Sequence, residues 1–460
     1  MFFAPLFKQK IGLLALLSFL AITCITFFKS ALELEDAEQA YYSQWLRWGY
    51  DDQPPLYTWL QYAVNQVFGV QKGAFSVLRA SIFAGILLSL WHFARRMGTN
   101  KTKSELAVLA LVLMPVFIDF TFRRLSHTSL LCLAILASFI VLQRLLQKKS
   151  LVNYVLLGLV IGVGVLSKYN YVLFLGALGL ALFFDKGLQK IIFNKKILVT
   201  VLLVCLLLSP HLCWLLGANG YLAELRESIA LKTESNTQTV LYVIGPLFSL
   251  VLTLVKLMAP LLAVVGLAVV FKKVRFRKPK LDWLAKFAIA QSLVLLLFFT
   301  FLNVQKVEER WLLPLVLPYM VLLMRSMVFK MPGSASRYLF VLFLAVISVQ
   351  VGRTPVEKSL GIPSSVHFGF EPLSTILNDA YANKQWMLPD VTYGGNIRIL
   401  NPHKEVFSRD DFSLPSSKLG EIEGVEVVLG KESLQGRIPV ETLVDFGKEK
   451  DTLFMVPLTE

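Results

Sequence analysis

Stretches of predominantly apolar residues, each roughly 17 residues long, recur along the first three quarters of this 460-residue chain. A run of that length is what an α-helix needs to cross the hydrocarbon core of a bilayer. Read this way, the sequence predicts about eleven membrane helices, near residues 11–28, 75–93, 106–120, 129–146, 151–166, 169–184, 197–216, 249–271, 283–302, 311–329 and 338–351. Composition agrees, with 55% hydrophobic and 17% charged residues against about 25% charged in an ordinary soluble chain. Mean hydropathy is +0.62. A soluble enzyme, a disordered chain, a collagen-like repeat and a secreted disulfide scaffold are thereby excluded. Cys24, Cys132, Cys205 and Cys213 all lie inside apolar runs, where a thiol behaves as a small hydrophobe and reports nothing about redox compartment.

The net charge of +15 is unevenly placed: residues 353–460 hold 11 Lys and Arg against 16 Asp and Glu, and residues 1–352 hold 35 against 15. A basic excess spread among membrane helices fits anionic lipid headgroups, not nucleic acid. If the amino terminus is cytoplasmic, the inner connections carry 21 basic residues and the outer ones 10, the asymmetry expected of cytoplasmic loops. The cluster at 272–280 reads as a topology determinant. Lys8 and Lys10 ahead of the first run resemble a signal-peptide start, but the many later runs favour an uncleaved anchor. An odd number of spans then places the C-terminal segment outside. That segment, 353–460, is rich in Pro, Gly and charge, with short runs such as GVEVVLG that predict strands; a small α/β domain is expected there, with no catalytic set of its own. The chain therefore divides into a membrane domain, 1–352, and a small periplasmic domain, 353–460.

The first outer loop, 30–74, is the longest and holds Glu33, Glu35, Asp36, Glu38, Asp51 and Asp52 among Tyr41, Tyr42, Trp45, Trp48, Tyr50, Tyr57, Trp59 and Tyr62. The pattern predicts one or two surface helices with interfacial aromatics, broken by Gly49 and the pair Pro54-Pro55. A solvated acidic loop is the plain reading. The alternative is that carboxyls beside an apolar slab have raised pKa values and act as bases. Arg123, Arg124, Lys168 and Arg310 face the same compartment and suit a phosphate leaving group, though a single such cation also fits snorkelling to headgroups. Lys168 stands apart, in a short LSKYN break on the side expected to be poor in cations.

The run DAEQAYYSQWLRWGYDDQPPLYTWL, residues 36–60, resembles the first outer loop of glycosyltransferase family 39, whose members include the protein O-mannosyltransferases and the lipid A aminoarabinose transferase. Those loops read Asp-Glu-Ala, an aromatic helix, Trp-Gly-Tyr and Lys-Pro-Pro-Leu. The segment GLVIGVGVLSKYNYVLFLGALGLALF, residues 158–183, is similar to a second hallmark, a glycine-rich helix ending in Leu-Ser-Lys. The resemblance implies a GT-C-like helical membrane domain. It also implies an enzyme moving a sugar from a polyprenyl-phosphate donor to a lipid, glycan or protein acceptor on the outer face of the inner membrane. It places Glu35 and Asp36 on the catalytic acids, in swapped order, with Glu38 one turn on. Tyr50, Gln53, Pro54 and Pro55 fall on loop-positioning places; Gln53 stands where many members have Lys, which leaves Lys168, Arg123, Arg124 and Arg310 for the donor phosphate. Arg-Leu-Ser-His, ending at His127, replaces a segment in which members often have Asp. A divalent cation bridging acids and phosphate is conceivable, but the residues fix no ligand geometry, and no metal is assigned. Two other readings remain, a transporter or flippase of lipid-linked glycans and a non-catalytic membrane scaffold. The first predicts ionisable residues in mid-span, whereas here they sit almost entirely at span ends.

Overall fold

The computed structural model describes residues 9–124, 126–217, 241–278, 280–414, 422–435, 437–446 and 451–458; of the cations counted for sidedness, Lys8, Arg226 and Lys232 lie outside them. All eleven apolar runs form helices, apart from the end of the run at 311–329, where strand β2 (Met327–Phe329) pairs antiparallel with β1 (Val274–Phe276). Among the described residues, seven helices are long and apolar enough to cross a membrane, or up to nine if each of two bent pairs is one span. The difference from eleven has local causes. The run at 106–120 breaks before Pro115 into Lys101–Leu113 and Pro115–Arg123, bent by 81°, because proline cannot donate within a helix. Tyr171–Leu182 bends by 112° into Lys186–Ile192, where the Asp185 side chain accepts from the amides of Gly187 and Leu188 and starts a new helix. Leu151–Ser167 is short, at 17 residues, and Glu309–Ser326 carries Glu309, Arg310 and Arg325.

The chain forms two compact units. The first contains Met1–Phe19, Ser81–Cys213 and Arg226–Ile347. Its helix starts are capped by Asn100, Ser150, Asp185 and Asp282, each side chain accepting from an otherwise unpaired amide of the first turn. Phe139 is an aromatic hub, with Phe93, Phe174, Trp283 and Phe287 at centroid separations of 5.0 to 5.8 Å. In the glycine-rich helix, a Cβ at Gly158 would lie 2.9 Å from Leu203 Cβ and 3.0 Å from the Thr200 carbonyl, and one at Gly162 would strike Leu207. Small residues four apart thus let Leu151–Ser167 and Ile197–Gly217 touch backbone to side chain, a contact lipid cannot supply by hydrophobicity alone.

The second unit contains Leu20–Ala80, Trp214–Leu225 and Ser348–Glu460. The acidic loop forms two helices, Leu34–Tyr42 and Leu56–Phe68, separated by the Gly49 to Pro55 stretch as the sequence predicts. The C-terminal segment forms a five-stranded sheet, β3 (Gln385–Leu388), β4 (Val406–Ser408), β5 (Gly424–Leu429), β6 (Glu441–Phe446) and β7 (Asp451–Leu458), in the order β4-β3-β5-β7-β6. β3 pairs in parallel with β4 and β5, and β7 runs antiparallel to β5 and β6. The helix Val391–Leu400, N-capped by Asp390, is the crossover from β3 to β4. The Gln44 side chain lies along β4, donating to the Val406 carbonyl at 2.9 Å and accepting from its amide at 3.1 Å.

The loop aromatics are not all interfacial. Tyr41, Tyr42 and Tyr50 are buried in one core with Leu373, Trp386, Ile397 and Val425. At Gly395 the crossover helix lies on the backbone of Ala37, where any Cβ would overlap the Ala37 carbonyl. The sheet therefore closes its core with residues of the acidic loop.

Candidate active site

Helix Leu34–Tyr42 starts with Glu35 and Asp36 in its first turn, where the helix dipole favours carboxylates. The acids it carries have different surroundings. Asp36 is 5% exposed and forms an ion pair with Arg79. Burial pushes its carboxyl up, while Arg79 and Lys29 pull it back. Beside it, Lys29 Nζ and Glu33 Oε1 pair at 2.9 Å. Glu38 is half-buried and makes no hydrogen bond or ion pair with a described residue. Burial, reinforced by the negative charges of Glu35, Asp51, Asp52 and Asp410, holds its carboxyl well above the usual range. Glu35 and Glu38, three residues apart, share one side of the helix.

The turn that follows adds Asp51, in the left-handed region at φ 33°. The Tyr42 hydroxyl donates to Asp51 Oδ2 at 3.0 Å. Burial and then Asp52 push Asp51 up to about 8, against the pull of the Tyr42 bond. Tyr50 is 2% exposed; its hydroxyl donates to the Trp45 carbonyl at 2.6 Å and accepts from the Arg47 amide at 2.8 Å, and burial raises it to about 12. Gln53 Nε2 donates to Asp52 Oδ1 at 2.7 Å. Pro54 and Pro55 are buried, and Pro55 precedes the second loop helix. Asp411, fully buried, receives the Tyr41 hydroxyl at 3.0 Å and lies 3.5 Å from Arg47 Nη1.

The first unit holds the expected cations. Lys168 ends helix Leu151–Ser167 in extended geometry, and its Nζ donates to Thr128 Oγ1 at 2.8 Å. His127 is 6% exposed, with Nδ1 3.3 Å from the Ser167 carbonyl. The helix starting at Ser126 and the LSKYN break are thereby joined. Arg123 closes Pro115–Arg123 and is 4% exposed; Arg124 follows it, exposed. Arg310 lies apart, exposed in the first turn of Glu309–Ser326, and makes no hydrogen bond or ion pair with a described residue. His211 accompanies Tyr169, at 3.1 Å from its hydroxyl.

No three His, Cys, Asp or Glu among the described residues are arranged to hold a metal ion. Sequence reasoning missed Arg79 and Asp411. Arg79 had a legible signal, because an arginine within an apolar run such as 75–93 requires a partner. Asp411 had none, since the loop residues it meets, Tyr41 and Arg47, are more than 360 residues away in sequence.

Three comparisons bear on this arrangement. The family model of the dolichyl-phosphate-mannose-protein mannosyltransferases matches residues 52–214. Two relatives from Rhizobium johnstonii are the lipopolysaccharide core galacturonosyltransferases RgtB and RgtA. RgtB is 28% identical over 394 residues, covering 83% of this chain and 78% of its own; RgtA is 28% identical over 385 residues, 78% of this chain and 77% of its own. Among solved structures, ArnT from Cupriavidus metallidurans bound to undecaprenyl phosphate superposes with a TM-score of 0.64 over 97% of both chains at 12% identity. Its apo form gives 0.58 at 13% identity. The helical membrane fold and the family 39 resemblance are both upheld.

Proposed function

We propose, from the premise that this chain is a membrane glycosyltransferase of the GT-C, family 39-like kind, that it transfers a uronic acid residue from a polyprenyl phosphate to a hydroxyl of a lipopolysaccharide core saccharide. The observation that carries the transferase reading is Glu38, a carboxyl without a countercharge among the described residues, on a helix rich in acids. A carboxyl whose pKa is raised holds a proton more firmly than an ordinary carboxylate, which suits it to accept one. The choice of sugar and acceptor rests on the two galacturonosyltransferase relatives.

In this reading Glu38, with Glu35 on the same helix side, takes the proton of the acceptor hydroxyl as its oxygen attacks the anomeric carbon. The bond from that carbon to the phosphate oxygen breaks, the pair of electrons leaving with the polyprenyl phosphate. A single displacement of this kind inverts the anomeric centre. Asp36, held by Arg79, fixes the helix rather than moving a proton. Lys168, Arg123, Arg124 and Arg310 are assigned to the negative charge of the departing phosphate. Tyr50, Gln53, Pro54 and Pro55 shape the turn that presents Asp51 and Asp52. The reaction belongs on the outer face of the inner membrane, with the amino terminus cytoplasmic and the 353–460 domain periplasmic.

The test is mass spectrometry of the lipopolysaccharide core made with and without the gene, together with transfer assays on the purified protein using polyprenyl-phosphate galacturonic acid. Loss of a uronic acid residue in the first and its appearance on the acceptor in the second are expected. An unchanged core and no transfer from any polyprenyl-phosphate sugar would leave the scaffold reading standing instead.

A further inference from the structure

Arg398 sits in the crossover helix Val391–Leu400, 7% exposed, with no carboxylate partner among the described residues. Removing a guanidinium from water without a countercharge is costly, and an apolar side chain of similar volume would stabilise such a place better. Its contacts lie in the acid helix: Nη1 donates to the carbonyl of Ala40 and lies 3.4 Å from Ser43 Oγ. Ala40 is in the last turn of Leu34–Tyr42, where helix carbonyls run out of intrahelical donors, and the Gln44 amide goes to Tyr41 instead.

At the other end of the acid helix, Asn396 Oδ1 accepts from the Leu32 amide at 2.8 Å, two residues before the first turn. Between these two bonds Gly395 rests on the Ala37 backbone and Gly394 on the Tyr41 ring. The contacts at Ala37, Ala40 and Tyr41 follow the spacing of one helix face. With about 100° per residue, Glu38 and Glu35 fall away from that face. A bond at each end and a backbone contact in the middle set both the height and the rotation of the helix. A slip of one residue would turn Glu38 by about 100°.

We infer that the crossover helix is a splint for the acid helix, and that Arg398 and Asn396 are positioning residues of the transfer reaction, acting through Ala40 and Leu32 without touching substrate. The inference rests on the transferase reading above for its kinetic consequence and on the fold alone for its structural one.

The experiment uses the full-length protein in detergent or nanodiscs, with Arg398→Ala, Arg398→Lys, Asn396→Ala and Asn396→Asp, and with Arg437→Ala as a control on the far ion pair to Glu426. For Arg398→Ala, kcat should fall about 10- to 100-fold, the size expected when reacting groups are misplaced by about an ångström, with KM for the donor within about twofold. Arg398→Lys and Asn396→Asp keep a donor and an acceptor at the same places and should recover a substantial part of kcat. Amide hydrogen exchange over residues 34–42 should be faster in both alanine variants and unchanged in the control. Unchanged kcat and unchanged exchange would overturn the inference, as would a loss of kcat that follows the folded fraction and is not rescued by the conservative variants. A wild-type protein that transfers no sugar sinks the transferase reading and, with it, the kinetic role. The exchange measurement then decides the splint by itself.

Discussion

The acidic loop and the glycine-rich helix are the two stretches that carry the family resemblance, and they are held in place by opposite means. The loop is fixed by polar and ionic bonds in a protein core: Asp36 to Arg79, Tyr41 to Asp411, Tyr42 to Asp51. The helix Leu151–Ser167 is fixed by shape, through Gly158 and Gly162 against Thr200, Leu203 and Leu207. In lipid the hydrophobic effect does not drive helices together, so close contact must do so. Outside the lipid, carboxyls can be given distinct chemical states by their partners. The loop can therefore tune reactivity, and the helix can only tune position.

The largest expected effect separates two acids of one helix. Glu38→Gln should lower kcat by about 10²- to 10⁴-fold, the range for loss of a general base, with thermal stability retained because no ion pair is broken. Asp36→Asn should act through stability, since it leaves Arg79 buried without its carboxylate, a loss of about 3–5 kcal/mol. Equal kcat in folded Glu38→Gln and wild type would remove Glu38 from the chemistry. Next in size is the glycine contact: Gly158→Ala pushes a methyl group onto the Thr200 carbonyl and Leu203 Cβ and should destabilise by about 1–3 kcal/mol. Calorimetry reads this directly, and a neutral result would mean the helices separate without cost.

The smallest effect is a pH dependence in the loop. Asp51 in the folded protein titrates at about 8 against an ordinary value of 3.8, so folding favours its protonated form. That stabilisation is fully present below about pH 4 and is lost as pH rises through about 8. Asp51→Asn keeps an acceptor for the Tyr42 hydroxyl and stays neutral, so at pH 9 its melting temperature should exceed that of wild type by about 2–4 °C, the gap closing toward pH 5. A constant gap across that interval would assign the effect to packing.

Much of the fold was legible because lipid allows so little. A backbone inside a bilayer must satisfy its own hydrogen bonds, so each of the eleven apolar runs forms a helix, and the span count falls through the breaks at Pro115 and Asp185, the shortness of Leu151–Ser167 and the charges of Glu309–Ser326. The loop helices were legible for a similar reason, since Gly49 and Pro54-Pro55 interrupt any helix. The candidate site was only half legible. Glu35, Asp36 and Glu38 stand together in sequence, but which of them is neutralised depends on Arg79, 43 residues further along. The sequence alone assigns the tyrosines to an interfacial belt, because a sequence window does not reveal that β-strands some 350 residues away cover Tyr41 and Tyr42.

One side chain of the loop also settles how the C-terminal sheet meets its surroundings. β4 is an end strand, and an end strand offers its free amides and carbonyls to any passing chain. Gln44 occupies Val406 with both halves of its amide, a one-residue imitation of a neighbouring strand. The same segment that carries the acids thereby blunts that edge against recruitment of a further strand.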